Sequence, residues 1–368
     1  MPFYTYLLYP FALIYGAVVS LRNRLFDWGV FREQRFDVPI ICVGNLAVGG
    51  TGKTPHTELL ISILKDKYKV AVLSRGYKRK TKGFILANET ATAETIGDEP
   101  FQIKRKFPNI AVAVDSNRRR GIACLQKTVK PDVILLDDAF QHRYVKAGLS
   151  VLLTDCNCLY TRDCLLPAGR LREPKSGAER ADMIIVTKCT NGIAGQARND
   201  KTDKIEKELK PNEKQELYFS AFRYKDIEPV FPLARICNPC DIRHELQTRA
   251  SVSVLLLTGI VNPQPLHDYL AQKAKNIVSV NFPDHHDFSQ RDIENISKKF
   301  AEIESEKIII TTEKDAARLI DNPYLSEELK PFIYSIGIEV AINKEEEFNA
   351  KILEYVAKNK RNSRFSEK

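Results

Sequence analysis

A chain of 368 residues, 43% hydrophobic and 28% charged, holds enough apolar material for two globular cores and too much for general disorder. Its 8 cysteines are scattered, which excludes a small disulfide-stapled secreted scaffold and points to a reducing compartment. The formal net charge of +9 favours anionic partners, whether nucleotide phosphates, phosphorylated substrate, nucleic acid or an anionic bilayer leaflet, without choosing among them.

The first 21 residues carry no charged side chain and are rich in aromatics (Phe3, Tyr4, Tyr6, Tyr9, Phe11, Tyr15). A helical span takes about 20 apolar residues, so the length is borderline. Pro10 and Gly16 interrupt the run, and tyrosine hydroxyls suit an interface better than hydrocarbon. Basic residues follow the run instead of preceding it, which argues against a cleaved signal. For residues 1–27 the expectation is a membrane-associated helix with Arg22, Arg24, Arg32 and Arg35 near the headgroups, the alternative being a helix packed on the protein's own core.

Beyond Asp37, short β-rich runs at 40–43, 70–73, 110–114, 133–136, 151–153 and 183–186 alternate with longer polar or helical stretches, the pattern of a parallel α/β sheet. Ligands of such sheets bind beyond the strands' carboxyl ends. The first run is followed there by Gly49-Gly50-Thr51-Gly52-Lys53-Thr54 and a predicted helix at 55–65, which is a phosphate-binding loop in its proper context. Glycines let successive N–H groups converge on phosphate oxygens, the helix N-terminus adds its dipole, Lys53 reaches the β and γ phosphates and Thr54 serves magnesium. Ala47 stands where the first glycine of that loop is expected. The apolar run 133–136 delivers Asp137 and Asp138, which beside such a loop read as magnesium ligands.

Further strings follow in order: Ser74-Arg75-Gly76-Tyr77, Gly97-Asp98-Glu99-Pro100, Arg118-Arg119, Asp137-Asp138-Ala139-Phe140-Gln141-His142-Arg143 and Leu166-Pro167-Ala168-Gly169-Arg170-Leu171-Arg172-Glu173-Pro174. Gly259-Ile260, Asn262-Pro263, Phe282-Pro283-Asp284-His285-His286 and Thr312-Glu313-Lys314-Asp315-Ala316 complete the set. Together with the loop from Val43 to Pro55, their ordered combination resembles the tetraacyldisaccharide 4′-kinase family from the N-terminal segment to about residue 320. That family also commonly replaces the loop's first glycine; Ala139 stands where it usually has glycine.

The resemblance implies an α/β fold with a P-loop sheet domain and a smaller α/β domain. It also implies transfer of the γ-phosphoryl of ATP, with Mg2+, to the 4′-hydroxyl of a lipid-bearing disaccharide 1-phosphate at the cytoplasmic face of the inner membrane. Asp98 is implied as the catalytic base, where spacing alone favours a turn residue. It is paired with a histidine of the second domain that maps to His285, with His286 adjacent; such a pair implies domain closure. Lys53 and Arg172 are expected to neutralise transferring charge, Tyr77 and Gln141 to support the nucleotide, Glu99 to join the metal set, and Asn45, Arg118, Arg119 and Arg170 to meet phosphate groups.

The expected division is 28–225 for the kinase domain, 226–250 for a proline-bearing linker, and 251–368 for a smaller domain with strands at 252–258, 277–280 and 308–311. The tail basics Lys358, Lys360, Arg361, Arg364 and Lys368 read as a solvated, frayed end. Cys156, Cys158 and Cys164, with Cys237 and Cys240, would be the candidate ligands of a zinc site, but no second CxxC or His pair stands at finger-like spacing. No nucleic-acid-binding string is visible, and a monomer is expected. The main rival is a membrane-tethered partitioning ATPase, against which stands Val48 where those proteins place a second lysine.

Overall fold

The computed structural model describes residues 4–189, 200–231, 252–284 and 286–365. The chain forms two compact units, Met1–Arg223 with Val340–Lys368, and Tyr224–Glu339.

The first unit opens with α1 (Tyr4–Asp27). Then follow β1 (Ile40–Asn45), α2 (Lys53–Leu64), β2 (Val70–Ser74), β3 (Ile85–Leu86), α3 (Ala93–Ile96), α4 (Asp98–Lys106), β4 (Ala111–Val114) and α5 (Arg118–Thr128). The series continues with β5 (Val133–Asp137), β6 (Leu149–Asp155), β7 (Met183–Thr187), α6 (Asp200–Leu209) and the first part of β8 (Glu216–Pro229). The strand order is β8-β7-β6-β1-β5-β2-β4-β3, parallel throughout except for the edge strand β3. Central strands are buried along their whole length, β5 as Val-Ile-Leu-Leu-Asp, because the helices of parallel crossovers cover both faces of the sheet. Ile134 and Leu136 join Ile40, Cys42, Ala71 and Leu73 in one core cluster, while Leu152, Ile184 and Val186 build another with Leu46 and Phe140.

The second unit holds the rest of β8, then β9 (Ser253–Thr258), α7 (Gln264–Ala271), β10 (Asn276–Asn281), α8 (Gln290–Ala301), β11 (Lys307–Thr312), α9 (Glu313–Ile320) and most of β12 (Ile333–Ile342). Its parallel strands run β10-β9-β11-β12. From Val340 the chain returns to the first unit as α10 (Glu345–Phe365), where Phe348 packs edge-on against Tyr218 and the Tyr355 hydroxyl donates to the Ile40 carbonyl at 3.0 Å.

The strands expected from the sequence are present within a residue or two of their bounds. Two features differ. The stretch from Glu345 is a helix with buried Phe348, Ile352 and Val356, an element not expected there; of the expected solvated tail only the Lys358 side chain is described, and it is exposed. Asp98 does not sit on a loop but heads α4, since Gly97 at φ 93° turns the chain out of α3 at once. A Cβ on Gly97 would lie 3.0 Å from the Tyr77 carbonyl oxygen, which excludes other side chains there. The expected linker lies mostly outside the described residues, as does the Cys237/Cys240 pair.

No described helix is long and apolar enough to cross a membrane. α1 packs on the protein's own core along one side and leaves the other side exposed. Ala12, Gly16 and Phe26 are buried, whereas Leu7, Phe11, Leu13, Ile14, Val18 and Leu21 are each 55–71% exposed along its other side.

Candidate functional site

The site grows from the carboxyl end of β1. Asn45 is fully buried and its Nδ2 donates to Thr51 Oγ1 at 2.8 Å, bracing the loop from inside. The loop's outer edge is stitched to the segment carrying Arg170 to Glu173: Val48 N–H donates to the Arg170 carbonyl and Arg172 N–H to the Leu46 carbonyl, both at 2.7 Å. A Cβ at Gly49 or Gly50 would meet no described atom within 4 Å, so the cradle is open where phosphate oxygens are expected. Gly52, at φ 87°, makes the turn into α2.

His56, one turn into α2, donates from Nδ1 to the Gly52 carbonyl at 2.7 Å and accepts from the Ser220 hydroxyl at Nε2, 2.9 Å away. Burial lowers its pKa to about 4, so the ring is neutral and this tautomer is the one the carbonyl requires.

Asp137 and Asp138 end β5 with different environments. Asp137 is buried; the Thr57 and Ser74 hydroxyls approach its carboxylate only at 3.3 and 3.4 Å. Desolvation raises its pKa to about 6, helped by the charges of Asp138 and Glu99 and opposed by Lys53 and Arg118. Asp138, at φ 47°, presents its carboxylate outward to Arg172 Nη1 at 3.0 and 3.2 Å and to Lys53 Nζ at 3.8 Å. Arg172 also donates to Gln141 Oε1 at 3.4 Å, and Gln141 Nε2 bridges the Asn45 carbonyl and Glu173 Oε1 at 2.7 and 3.0 Å.

α4 is braced against the loop's own helix: Gln102 Nε2 and Lys106 Nζ donate to the buried Glu58 of α2 at 2.9 and 2.6 Å. Glu99, in the first turn of α4, is close enough to act on Asp137, and its chain neighbour Asp98 is buried at the head of the same helix.

The expected residues therefore divide. Asn45, Gly49, Gly50, Thr51, Gly52, Lys53, Asp137, Asp138, Gln141 and Arg172 form one connected group, with Glu99 near it. Arg118 is buried beneath the aspartates, with Nη1 on the Asp115 carbonyl at 2.7 Å, Nη2 only 3.5 Å from the Asp137 carbonyl, and Nε unpartnered. Thr57 and Ser74, rather than Thr54, are the hydroxyls that reach Asp137. Arg119 is exposed and lies over the Tyr144 ring at 5.2 Å, while the Arg170 guanidinium is taken up by Asp163 at 2.9 Å and by Cys158, so only its backbone touches the loop. Tyr77 is 60% exposed. His285 lies outside the described residues. Arg22 was expected near headgroups; instead its guanidinium donates to the Gln141 carbonyl at 2.9 Å.

Sequence reasoning assigned no role to His56, Thr57 or Glu173. Thr57 stands one turn beyond Thr54, a spacing that could have found it; nothing in the sequence joins His56 to Ser220. Among the described residues no group of three or more His, Cys, Asp or Glu is placed to hold a metal ion by itself.

The profile of the family described as Tetraacyldisaccharide-1-P 4'-kinase matches residues 4–357. The chain is 52% identical over 367 residues to the Tetraacyldisaccharide 4'-kinase of Bacteroides thetaiotaomicron, covering 98% of this chain and 96% of the relative. It is 45% identical over 355 residues to that of Flavobacterium johnsoniae, with 96% and 97% covered. Among solved structures, a crystal structure of LpxK from Aquifex aeolicus, an "apo" form in complex with ATP, matches at a TM-score of 0.70 and 28% identity, over 96% of this chain and 99% of that one.

Proposed function

The chain belongs to the tetraacyldisaccharide-1-P 4'-kinase family, and from that premise we propose how its residues carry out the reaction. The activity is ATP-dependent phosphorylation of the 4′-hydroxyl of tetraacyldisaccharide 1-phosphate in lipid A synthesis. The partitioning-type ATPase is set aside, since the family match runs through residues 4–357 and not through the P-loop alone.

Phosphoryl transfer passes through a loose transition state, so the protein mainly positions groups and neutralises charge. The loop N–H groups from Gly49 to Thr54, the start of α2 and Lys53 hold the β and γ phosphates. Asp137, Asp138, Glu99 and Thr54 would hold Mg2+, which would neutralise phosphate charge; Asp137, lifted to about 6 by burial and further by the Asp138 and Glu99 charges, is a carboxylate that a hard divalent cation would relieve. Asp98 takes the proton from the sugar 4′-hydroxyl as the oxygen bonds the γ-phosphorus and the bond to ADP breaks. Arg172 meets the charge on the transferring group.

The observation that carries this reading is the convergence of Lys53 and Arg172 on Asp138 at the rim of an open glycine cradle. Purified protein given magnesium ATP and the disaccharide 1-phosphate in detergent micelles should yield one phosphorylated lipid per ADP, with turnover lost on chelation of magnesium. Lipid-stimulated ATP hydrolysis without phosphorylated lipid would overturn it.

The exposed apolar side of α1, with Arg24, Arg32 and Arg35 also exposed, supports association with an anionic membrane surface, on this reading the cytoplasmic face of the inner membrane. Removal of residues 1–21 should abolish pelleting with anionic vesicles, and undiminished pelleting would refute the anchor.

A further inference from the structure

The inward face of α1 reaches the site itself. The Tyr15 hydroxyl donates to the Arg172 carbonyl at 2.7 Å, Arg22 Nη2 to the Gln141 carbonyl at 2.9 Å, and Asn23 Nδ2 to Glu173 Oε2 at 3.2 Å. Positions 15, 22 and 23 fall about two turns apart, so one side of the helix delivers all three donors. Their acceptors are not scattered: Arg172 and Gln141 are bonded to each other, and Arg172 is bonded to Asp138.

Glu173 joins these contacts into one network. Only 2% exposed, its carboxylate takes Arg180 Nη2 at 2.7 Å, Gln141 Nε2 at 3.0 Å and Asn23 Nδ2 at 3.2 Å. Asn23 is fixed in turn by Arg143, whose Nη1 donates to its carbonyl at 3.0 Å and whose Nη2 pairs with Asp27 at 2.8 Å. Apolar contacts alone would seat the helix: Ala12 and Phe26 are buried, and Gly16 sits so close that a Cβ would lie 2.6 Å from Leu165 Cδ1. The polar contacts add direction, because each hydrogen bond constrains the angle as well as the separation of its partners. A displacement of about 1 Å at a phosphoryl-transfer site is enough to cost up to about a hundredfold in rate.

We propose that Tyr15, Arg22 and Asn23 are positioning residues for phosphoryl transfer: the helix that meets the bilayer also sets Arg172 and Gln141 against Asp138. Turnover then depends on how α1 is seated, and not only on whether the enzyme is attached to lipid. The inference rests on the reading of Asp138 and Arg172 given above.

The test uses full-length Tyr15→Phe, Asn23→Ala and the double variant in detergent micelles at saturating magnesium ATP and lipid. Each single change should lower kcat about three- to tenfold, as expected for one lost hydrogen bond, and the double variant further. The KM for ATP should stay within about twofold, with vesicle pelleting and the melting midpoint as in the wild type. A double variant with wild-type kcat overturns the proposal, and so does a loss of kcat that appears only together with lost pelleting or a lowered midpoint. Arg172→Lys, measured alongside, separates the two levels. If it turns over at the wild-type rate, the site reading itself falls; if it is slow while the double variant is not, only the role of α1 falls.

Discussion

Each unit places a buried aspartate at or just beyond the carboxyl end of a parallel strand, and the two differ in how closely they are hydrogen-bonded. In the first turn of α9, just past β11, Asp315 is 1% exposed and its Oδ2 accepts from the Gly259 N–H at 2.9 Å and the Thr312 hydroxyl at 2.8 Å, while Thr312 caps that helix by accepting from the Asp315 N–H at 3.2 Å. That arrangement ties a loop to a helix start. At the end of β5, Asp137 is approached only at 3.3 and 3.4 Å, and its neighbour Asp138 points two cations toward an open glycine loop. Short bonds mark a strand end that has finished its work in folding; long ones mark a strand end whose groups tighten when substrate arrives.

The largest departure from this contrast is expected at Asp98. Its replacement by alanine should reduce turnover about 10²–10⁴-fold, the range for a lost general base, with ATP affinity little changed in equilibrium binding. A wild-type rate for Asp98→Ala would remove it from the reaction.

Next in size is a pH effect confined to the loop end. His56 is buried with its pKa lowered from 6.5 to about 4, so the folded state excludes a proton that the unfolded chain binds. Its contribution to stability is therefore complete above pH 6.5 and is lost progressively as pH falls from there to about 4. Over that window the wild type should lose about 3 kcal/mol more than His56→Asn. Urea unfolding of both proteins at pH 7 and pH 4 measures the difference; parallel losses would mean that the imidazole is not held neutral.

The strand ends were legible because a buried parallel strand is a continuous apolar run whose first polar residue marks its tip, as at 133–136 before Asp137. α10 was not read, although Phe348, Ile352 and Val356 stand at helical spacing, because the basic residues around and beyond them suggested a solvated end. The helix headed by Asp98 was missed because α4 is dominated by polar residues, so no strong apolar stripe announces it. The face of α1 was illegible for a different reason: an apolar run with Tyr15 and Asn23 at its inner side reads the same whether those groups meet water, lipid or a catalytic loop. Which partner a polar side chain finds is set by tertiary packing. The motif strings named Arg170 and Arg172 alike, and only the Asp163 carboxylate beside one and Asp138 beside the other separates them.

The smallest expected effects are the most direct test of the contrast, because they have opposite signs. Burial and the Asp138 and Glu99 charges raise Asp137 from 3.8 to about 6, so at pH 7 its ionised form is a cost to the fold. Asp137→Asn should therefore gain about 1–2 kcal/mol of stability at pH 7 while losing turnover, and the gain should vanish as pH falls from 6 toward 3.8, where the wild-type carboxyl is protonated in both states. Asp315→Ala leaves the Gly259 N–H and the Thr312 hydroxyl without their acceptor, and it should lose about 2 kcal/mol. Urea midpoints of the two variants against the wild type at pH 7 decide the matter. If Asp137→Asn is as destabilised as Asp315→Ala, both aspartates are structural caps, and the cost assigned to the ionised Asp137 does not exist.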